Sequence, residues 1–252
     1  MEVIGSGFLA GRFADLAGSR PGVVVAAFGV SVASGIPEAD FTREATRLYE
    51  LIRRCERREE KLVFFSTASA AMYAVPGEPG REDGPVFPST AYGRHNLTLE
   101  AVLAASRVDY LALRLAHVVG PAQHARMLVP SLVRQIQSGA VRLYRGARRD
   151  LVDVDDLVDL TDRLLATGVS RTVVNVATGS AVPVERIVDH LEAELGVTAD
   201  RAYVSEATSQ PVSVARLRHL VPEAARIGGE DYYRDVLGKY FREYAATTAA
   251  AG

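Results

Sequence analysis

KLVFFSTASAAMY, residues 61–73, opens on an uninterrupted apolar run and closes on hydroxyls. A strand with one wet face alternates apolar and polar residues, whereas a run without alternation belongs to a strand covered on both faces. Runs of the same kind stand on either side, EVI (2–4) and GVVVAAF (22–28) before it and DYLALRLAH (109–117) after it. Helical patterns near 8–17, 38–57 and 91–106 separate them. Strands alternating with helices predict an α/β fold, a doubly wound parallel sheet. Ser66, Thr67 and Ser69 then fall at the carboxyl end of a strand, the edge where open α/β sheets hold ligands. A hydroxyl there can donate to a carbonyl or alkoxide, or can simply close a turn.

Beyond residue 120 the texture changes. HARMLVPSLVRQIQSG reads as an amphipathic helix with a glycine stop, VRLYRGARRDLVDV as short strands around a basic turn, and DDLVDLTDRLLATG as a helix with acidic residues at its N-terminus, where the dipole favours them. TVVNVATG and PVERIVDHLEAELG add a strand and a helix, with Pro183 near the start of the latter. This predicts a sheet domain over 1–120 and a smaller mixed lobe over 121–252 that binds substrate, with some segments returning to the sheet. The tail AATTAAAG is expected to fray.

The 252 residues are 48% hydrophobic, enough for a sizeable core, and carry a net charge of −2 with no basic block. Neither nucleic acid nor an anionic membrane is therefore expected as a partner, and small molecules are. The start MEVIGSGFLAGRF lacks the pattern of a secretory leader, and no apolar stretch approaches the roughly 20 residues of a membrane span. A cytoplasmic protein is expected. Cys55 is the only cysteine, and no His, Asp or Glu spacing suggests a metal site.

Gly5-Ser6-Gly7-Phe8-Leu9-Ala10 follows a strand and opens a helix, the setting in which glycines let backbone approach a pyrophosphate and a helix N-terminus supplies N–H groups. A tight strand-to-helix turn would read the same way. Gly5, Gly7, Phe8 and Leu9 are the candidate cofactor residues. The acid that binds an adenosine ribose about 20 positions on is missing, because no Asp or Glu stands between Asp15 and Glu38. Arg12 and Arg20 could pair a 2′-phosphate instead, which would favour NADP.

FFSTASAAMY, GREDGPVFPSTAYGRHN, LRLAHVVGP, LVPSLVRQIQSG, ARRDLVDVDDLVD and VVNVATGSAVPVERIVDHL follow one another in an order that resembles the extended short-chain dehydrogenase/reductases, specifically the NAD-dependent epimerase/dehydratase family of nucleotide-sugar enzymes. The resemblance covers roughly residues 1–220 and implies a Rossmann-like sheet, NAD or NADP as cofactor, a nucleotide-linked substrate and a homodimer formed through the helices near 38–57 and 91–106. It gives Ser69 the role of steadying the substrate oxygen, with Thr67 beside it, and Tyr92 that of general acid/base. Ala26 and Ala27, in AAFGVS (26–31), fall in the loop that passes under the cofactor. Arg149, with Arg148 and Arg145 nearby, falls where an arginine grips the nucleotide diphosphate. His117, at a strand end, is a candidate backup acid/base or a packed residue.

The chain departs from that pattern in three ways. About seventeen residues separate the glycine turn from GVVVAAF, whose continuation resembles the family's fourth strand, so two βα units look deleted and the adenosine pocket half open. The helix at 38–57 has no asparagine. Asn96 occupies the position of a lysine, four residues after Tyr92, and the only lysines in the chain are Lys61 and Lys239. A cation on the same helix face lowers a tyrosine pKa by roughly 1–3 units, so its loss harms a step that needs tyrosinate more than one that needs a phenol donor. An asparagine introduced to trap a complex would look identical in sequence. Three readings follow: an NAD(P)-dependent reductase, epimerase or dehydratase; a cofactor-independent isomerase, lyase or cyclase on the same scaffold, its cofactor lost; or a catalytically silent binding subunit.

Overall fold

The computed structural model describes residues 1–29, 35–69, 72–73, 75, 77–206 and 211–249. In chain order the elements are β1 (Glu2–Ile4), α1 (Phe8–Phe13), β2 (Val23–Ala26), α2 (Glu38–Arg58), β3 (Lys61–Thr67), α3 (Ala91–Ala105), β4 (Asp109–Leu115), β5 (His117–Val119), α4 (Leu128–Gln137), β6 (Ala140–Arg145), β7 (Arg148–Arg149), β8 (Leu151–Asp153), α5 (Val154–Ala166), β9 (Thr172–Val176), β10 (Val182–Pro183), α6 (Val184–Leu195), β11 (Asp200–Glu206), α7 (Ala215–Leu220) and α8 (Tyr232–Ala249). Short 3-10 turns lie at Ala14–Leu16 and Pro222–Arg226.

The central sheet is parallel, in the order β1-β2-β3-β4-β9. The apolar runs are strands buried on two faces, as their lack of alternation requires. On β3, Leu62 and Phe64 pack with Leu48, Leu51 and Ile52 of α2 and Leu99 and Leu103 of α3, while Val63 points the other way into a larger core with Phe13 of α1 and Leu157, Leu160 and Leu164 of α5. That larger core continues through α6 to Tyr240 and Tyr244 of α8. No helix among the described residues is long and apolar enough to cross a membrane.

Among the described residues β1 is an edge strand of this sheet, paired with β2. The helix expected near 8–17 is a six-residue α1 followed by the 3-10 turn Ala14–Leu16. The run 109–117, expected as one strand, is two: Ala116 N–H bonds Val176 O at 3.0 Å and His117 N–H bonds Asp150 O at 2.9 Å, so the chain leaves the central sheet there and pairs with β8. The tail expected to fray is helical as far as Ala249. Tyr240 anchors α8 by donating to Asp153 Oδ1 at 2.7 Å and Tyr244 by donating to Gly120 O at 2.6 Å, and alanine extends the helix.

Candidate active site

At the carboxyl edge of the sheet the turns after β1 and β2 lie against each other. Gly5 has φ +151, and a Cβ there would fall 2.0 Å from Ala27 O, so only glycine permits this approach. Ala27 N–H in turn bonds Ile4 O at 2.9 Å. Gly7 is the N-cap of α1, with open space around its Cα and no side chain capping the helix, so the first-turn amides are not consumed by a capping side chain. The Phe8 ring, partly buried against the core, lies over Gly120. Leu9 likewise packs on the core. Ala26 and Ala27 are buried beneath the turn. Val30 and Ser31, the end of the predicted loop 26–31, lie outside the described residues.

The two arginines expected to meet a 2′-phosphate are engaged elsewhere. Arg12 pairs with Asp155, and Arg20 grips Asp162 through two bonds, one of 2.8 Å. Both carboxylates stand on α5: the Arg12 pair joins it to α1, and the Arg20 pair joins it to the loop that leads into β2. Among the described residues no strand lies outside β1 in the sheet to bear a ribose-binding acid.

Tyr92 sits in the first turn of α3, whose start is set by Thr90, its Oγ1 accepting from Gly93 N–H at 3.1 Å. Burial first, then the Glu44 carboxylate, push the Tyr92 phenol up to about 12, with an Asn96 hydrogen bond pulling the other way. Asn96 is buried at 3% exposure and donates from Nδ2 to Tyr92 O at 3.0 Å. Neither lysine substitutes for the absent cation: Lys61 lies at the opposite end of β3, 3.0 Å from Asp109, and Lys239 bonds Asp153 and Asp155 at 2.7 Å. Arg94 turns outward to Ser89 O at 3.2 Å.

At the end of β3, Thr67 Oγ1 donates to Ser69 Oγ at 3.1 Å and accepts from Ser69 N–H at 3.2 Å, so the two hydroxyls form a local unit. Ser66 faces the opposite side of the strand and donates to Glu100. Glu100 grips Arg114 in a fully buried pair, closest at 2.6 Å, and Arg114 donates to Tyr73 Oη at 2.8 Å. Tyr73 donates to Asn175 Oδ1 at 2.6 Å, and Asn175 Nδ2 donates to Gly80 O at 2.9 Å and Ser213 O at 3.0 Å. This network ties β3, β4, β9 and two loops together beneath the edge.

His117 begins β5 beside Arg149. Burial and the Arg149 charge push its pKa down to about 3, so the imidazole is neutral at physiological pH and cannot serve there as a protonated acid. Arg149 is half-buried, and desolvation lowers its pKa; its Nη1 donates to Arg148 O at 2.8 Å, and no ion pair to a carboxylate holds it among the described residues. Arg148 is exposed and donates to Ala181 O at 2.6 Å.

Glu44 and His95 are additions that sequence reading passed over. Their signal was present: Glu44 occupies the buried stripe of α2 with Leu48, Leu51, Ile52 and Cys55, where a carboxylate is out of place.

The sequence model of the NAD dependent epimerase/dehydratase family matches residues 16–177. The dTDP-6-deoxy-L-talose 4-dehydrogenase (NAD(P)(+)) of Kitasatospora kifunensis is 32% identical over 152 residues, which are 56% of this chain and 48% of the relative, so the match spans about half of that protein's length. RMD from Pseudomonas aeruginosa, solved with NADPH, shares the fold with a TM-score of 0.78 at 19% identity, over 97% of this chain and 98% of that one. UDP-glucose 4-epimerase of Thermus thermophilus, solved with NAD, gives 0.71 at 21% identity over 93% and 82%.

Proposed function

From a chain that belongs to the NAD-dependent epimerase/dehydratase family, we propose an NAD(P)H-dependent reductase acting on the ketone of a nucleotide-linked sugar. The observation that carries the reading is the state of Tyr92: a phenol pushed up to about 12, with an asparagine where the lysine would stand, is a proton donor throughout the physiological range. A bound reduced nicotinamide would supply the hydride. Tyr92 would protonate the carbonyl oxygen, and Ser69, oriented by Thr67, would hydrogen-bond that oxygen.

The residues present fit part of such a cofactor. The Gly5–Gly7 turn suits a pyrophosphate, with Phe8 and Leu9 contributing backbone. The adenosine ribose finds no acid between Asp15 and Glu38 and no free guanidinium from Arg12 or Arg20, so NAD and NADP should be weakly distinguished. Arg149, charged and held without a carboxylate among the described residues, suits the substrate diphosphate, with Arg148 at the rim. His117 would shape that pocket as a neutral ring. A homodimer through α2 and α3 belongs to the same proposal.

Calorimetry with NAD+, NADH, NADP+ and NADPH tests this, followed by turnover of dTDP- and UDP-linked 4-ketosugars. Micromolar binding is expected, with a ratio between NADH and NADPH of less than about tenfold. Reduction should be nearly flat from pH 6 to 9, whereas the reverse oxidation, which needs the rare tyrosinate, should rise about tenfold per pH unit. The edge position of β1 favours one second reading, cofactor-free proton transfer of the isomerase, lyase or cyclase kind, because what is missing all serves the cofactor. Failure of all four nucleotides to bind would select it.

A further inference from the structure

Among the described residues other than glycine, three have a positive φ: Glu59, Ala122 and Arg171. Glu59 is the C-cap of α2 and Arg171 precedes β9, both at the amino ends of central strands, whereas Ala122 follows the carboxyl end of β5. At φ +56 it holds a left-handed conformation that L-residues avoid, and such a residue persists where its surroundings over-determine it. Here they come from α8, 121 positions on: Glu243 Oε1 accepts from Ala122 N–H at 2.5 Å. Tyr244 Oη accepts from Gly120 N–H at 3.1 Å and donates to Gly120 O at 2.6 Å, with Gln123 Oε1 at 2.7 Å as a second acceptor for the same proton. Gln123 Nε2 donates back to Val118 O at 2.8 Å. Two consecutive side chains of one helix thus satisfy both backbone groups of Gly120 and the amide of Ala122, while Pro121 between them has no N–H to satisfy.

The earlier turns of α8 are seated without these bonds. Tyr232 Oη accepts from Asp153 N–H at 3.0 Å and donates to Asp156 at 2.6 Å, Lys239 Nζ donates to Asp153 and Asp155 at 2.7 Å, and Tyr240 donates to Asp153 at 2.7 Å. Tyr233, Val236 and Leu237 are buried in the larger core. A helix fixed in this way is a rigid support, so what Glu243 and Tyr244 add acts on the loop 120–123.

That loop touches the glycine turn through one ring. A Cβ on Gly120 would stand 2.9 Å from the Phe8 ring and 2.5 Å from Val154 Cγ1, so Gly120 is enclosed between them. Phe8 opens α1 directly after Gly7, and Gly11 N–H bonds Gly7 O at 3.1 Å to close the first turn. In a close-packed interior a shift of Gly120 is passed to the ring and to the turn that carries it.

We propose that Glu243 and Tyr244 are positioning residues of the Gly5–Gly7 turn: by gripping Ala122 and Gly120 they fix the loop against which Phe8 rests, so that the C-terminal helix sets the seat of the cofactor pyrophosphate. The consequence for nucleotide affinity rests on the cofactor role proposed for that turn; the mechanical coupling does not.

Amide hydrogen exchange on the full chain tests the coupling without nucleotide. Ala122 and Gly11 are the reporters, and the amides of the central strand β3, whose opening follows that of the whole fold, are the reference. In Tyr244→Phe, which removes only the hydroxyl, exchange at Gly11 should quicken by about tenfold relative to β3, with Ala122 quickening at least as much. Equal acceleration at Gly11 and β3, the mark of a merely structural role, overturns the proposal, as does a loop that loosens at Ala122 while Gly11 is unmoved. Should Tyr244→Phe fail to fold, Glu243→Ala decides by the same ratio, since Glu243 is exposed. Calorimetry with NADPH then reads the consequence: Kd should rise about fivefold in a Tyr244→Phe variant that remains folded by circular dichroism. A wild-type Kd alongside quickened Gly11 exchange sinks the link from turn to cofactor. Failure of the wild-type chain to bind NADPH removes the cofactor reading, and the exchange ratio still decides the coupling.

Discussion

Restoring a lysine at position 96 perturbs the site at its most informative point. Asn96→Lys places an ammonium four residues after Tyr92, on the same face of α3, in a pocket where Asn96 is only 3% exposed. A nearby cation lowers a tyrosine pKa by about 1–3 units. Starting from about 12, that moves Tyr92 to the ordinary tyrosine range or slightly below. The tyrosinate fraction at pH 7, about one part in 100,000 beforehand, should rise between tenfold and a thousandfold. Burying a longer charged side chain should cost about 1–3 kcal/mol of stability, so melting is measured first. The assay is the difference in tyrosinate absorbance between Asn96→Lys and the same variant carrying Tyr92→Phe, followed by NAD(P)+-dependent oxidation of the alcohol product at pH 7. A folded variant whose Tyr92 titration stays unchanged would refute the reasoning, because it would mean that position 96 does not face the phenol.

The remaining predictions concern how the site is held. Gly120→Ala would put a Cβ 2.5 Å from Val154 Cγ1 and 2.9 Å from the Phe8 ring, so it should destabilise the fold by about 1–3 kcal/mol in urea and weaken any nucleotide bound at the glycine turn. Asn175→Ala leaves the Tyr73 hydroxyl without its acceptor, though Arg114 still donates to it, and takes the amide donor from Gly80 O, which keeps Ser213 N–H, and from Ser213 O; it should cost about 1–3 kcal/mol, with faster proteolysis of the loops at 80 and 213. The Arg20 hydrogen bond holds the Asp162 pKa below the usual carboxylate range against an opposing effect of burial, so its contribution is present at neutral pH and disappears as pH falls through the folded-state value. Arg20→Gln should therefore lower stability by about 0.5 kcal/mol at pH 7 and leave it unchanged near pH 2, as read from paired thermal melts; an equal loss at both pH values would contradict the ion-pair account.

Local pattern carried the sheet. Runs such as LVFF in β3 and VVVA in β2 have no polar alternation, and only strands covered on two faces bury them, which is why the α/β class and the central strands could be read in advance. Gly5 was legible as a turn position, because glycines between a strand and a helix mark a tight turn; its approach to Ala27 O, 22 residues on, was not. The division of 109–117 into two strands was not legible, because the break at Ala116 depends on which carbonyl, Val176 or Asp150, the backbone meets. Arg12 and Arg20 misled because a guanidinium near a glycine turn looks the same in sequence whether it awaits a phosphate or is already paired with α5.

Tyr92 and Asn96 are four residues apart on one helix, so periodicity alone joined them. Glu44 and His95 are 51 positions apart, and Arg12 and Asp155 are 143 apart. Such partners are chosen by how α2 packs on α3 and α1 on α5. The residue types available to the site, and the absence of a lysine beside Tyr92, were therefore determined by the sequence. The burial of that phenol and the groups around it were decided by tertiary packing, because desolvation and electrostatic fields act through space and take no account of separation along the chain.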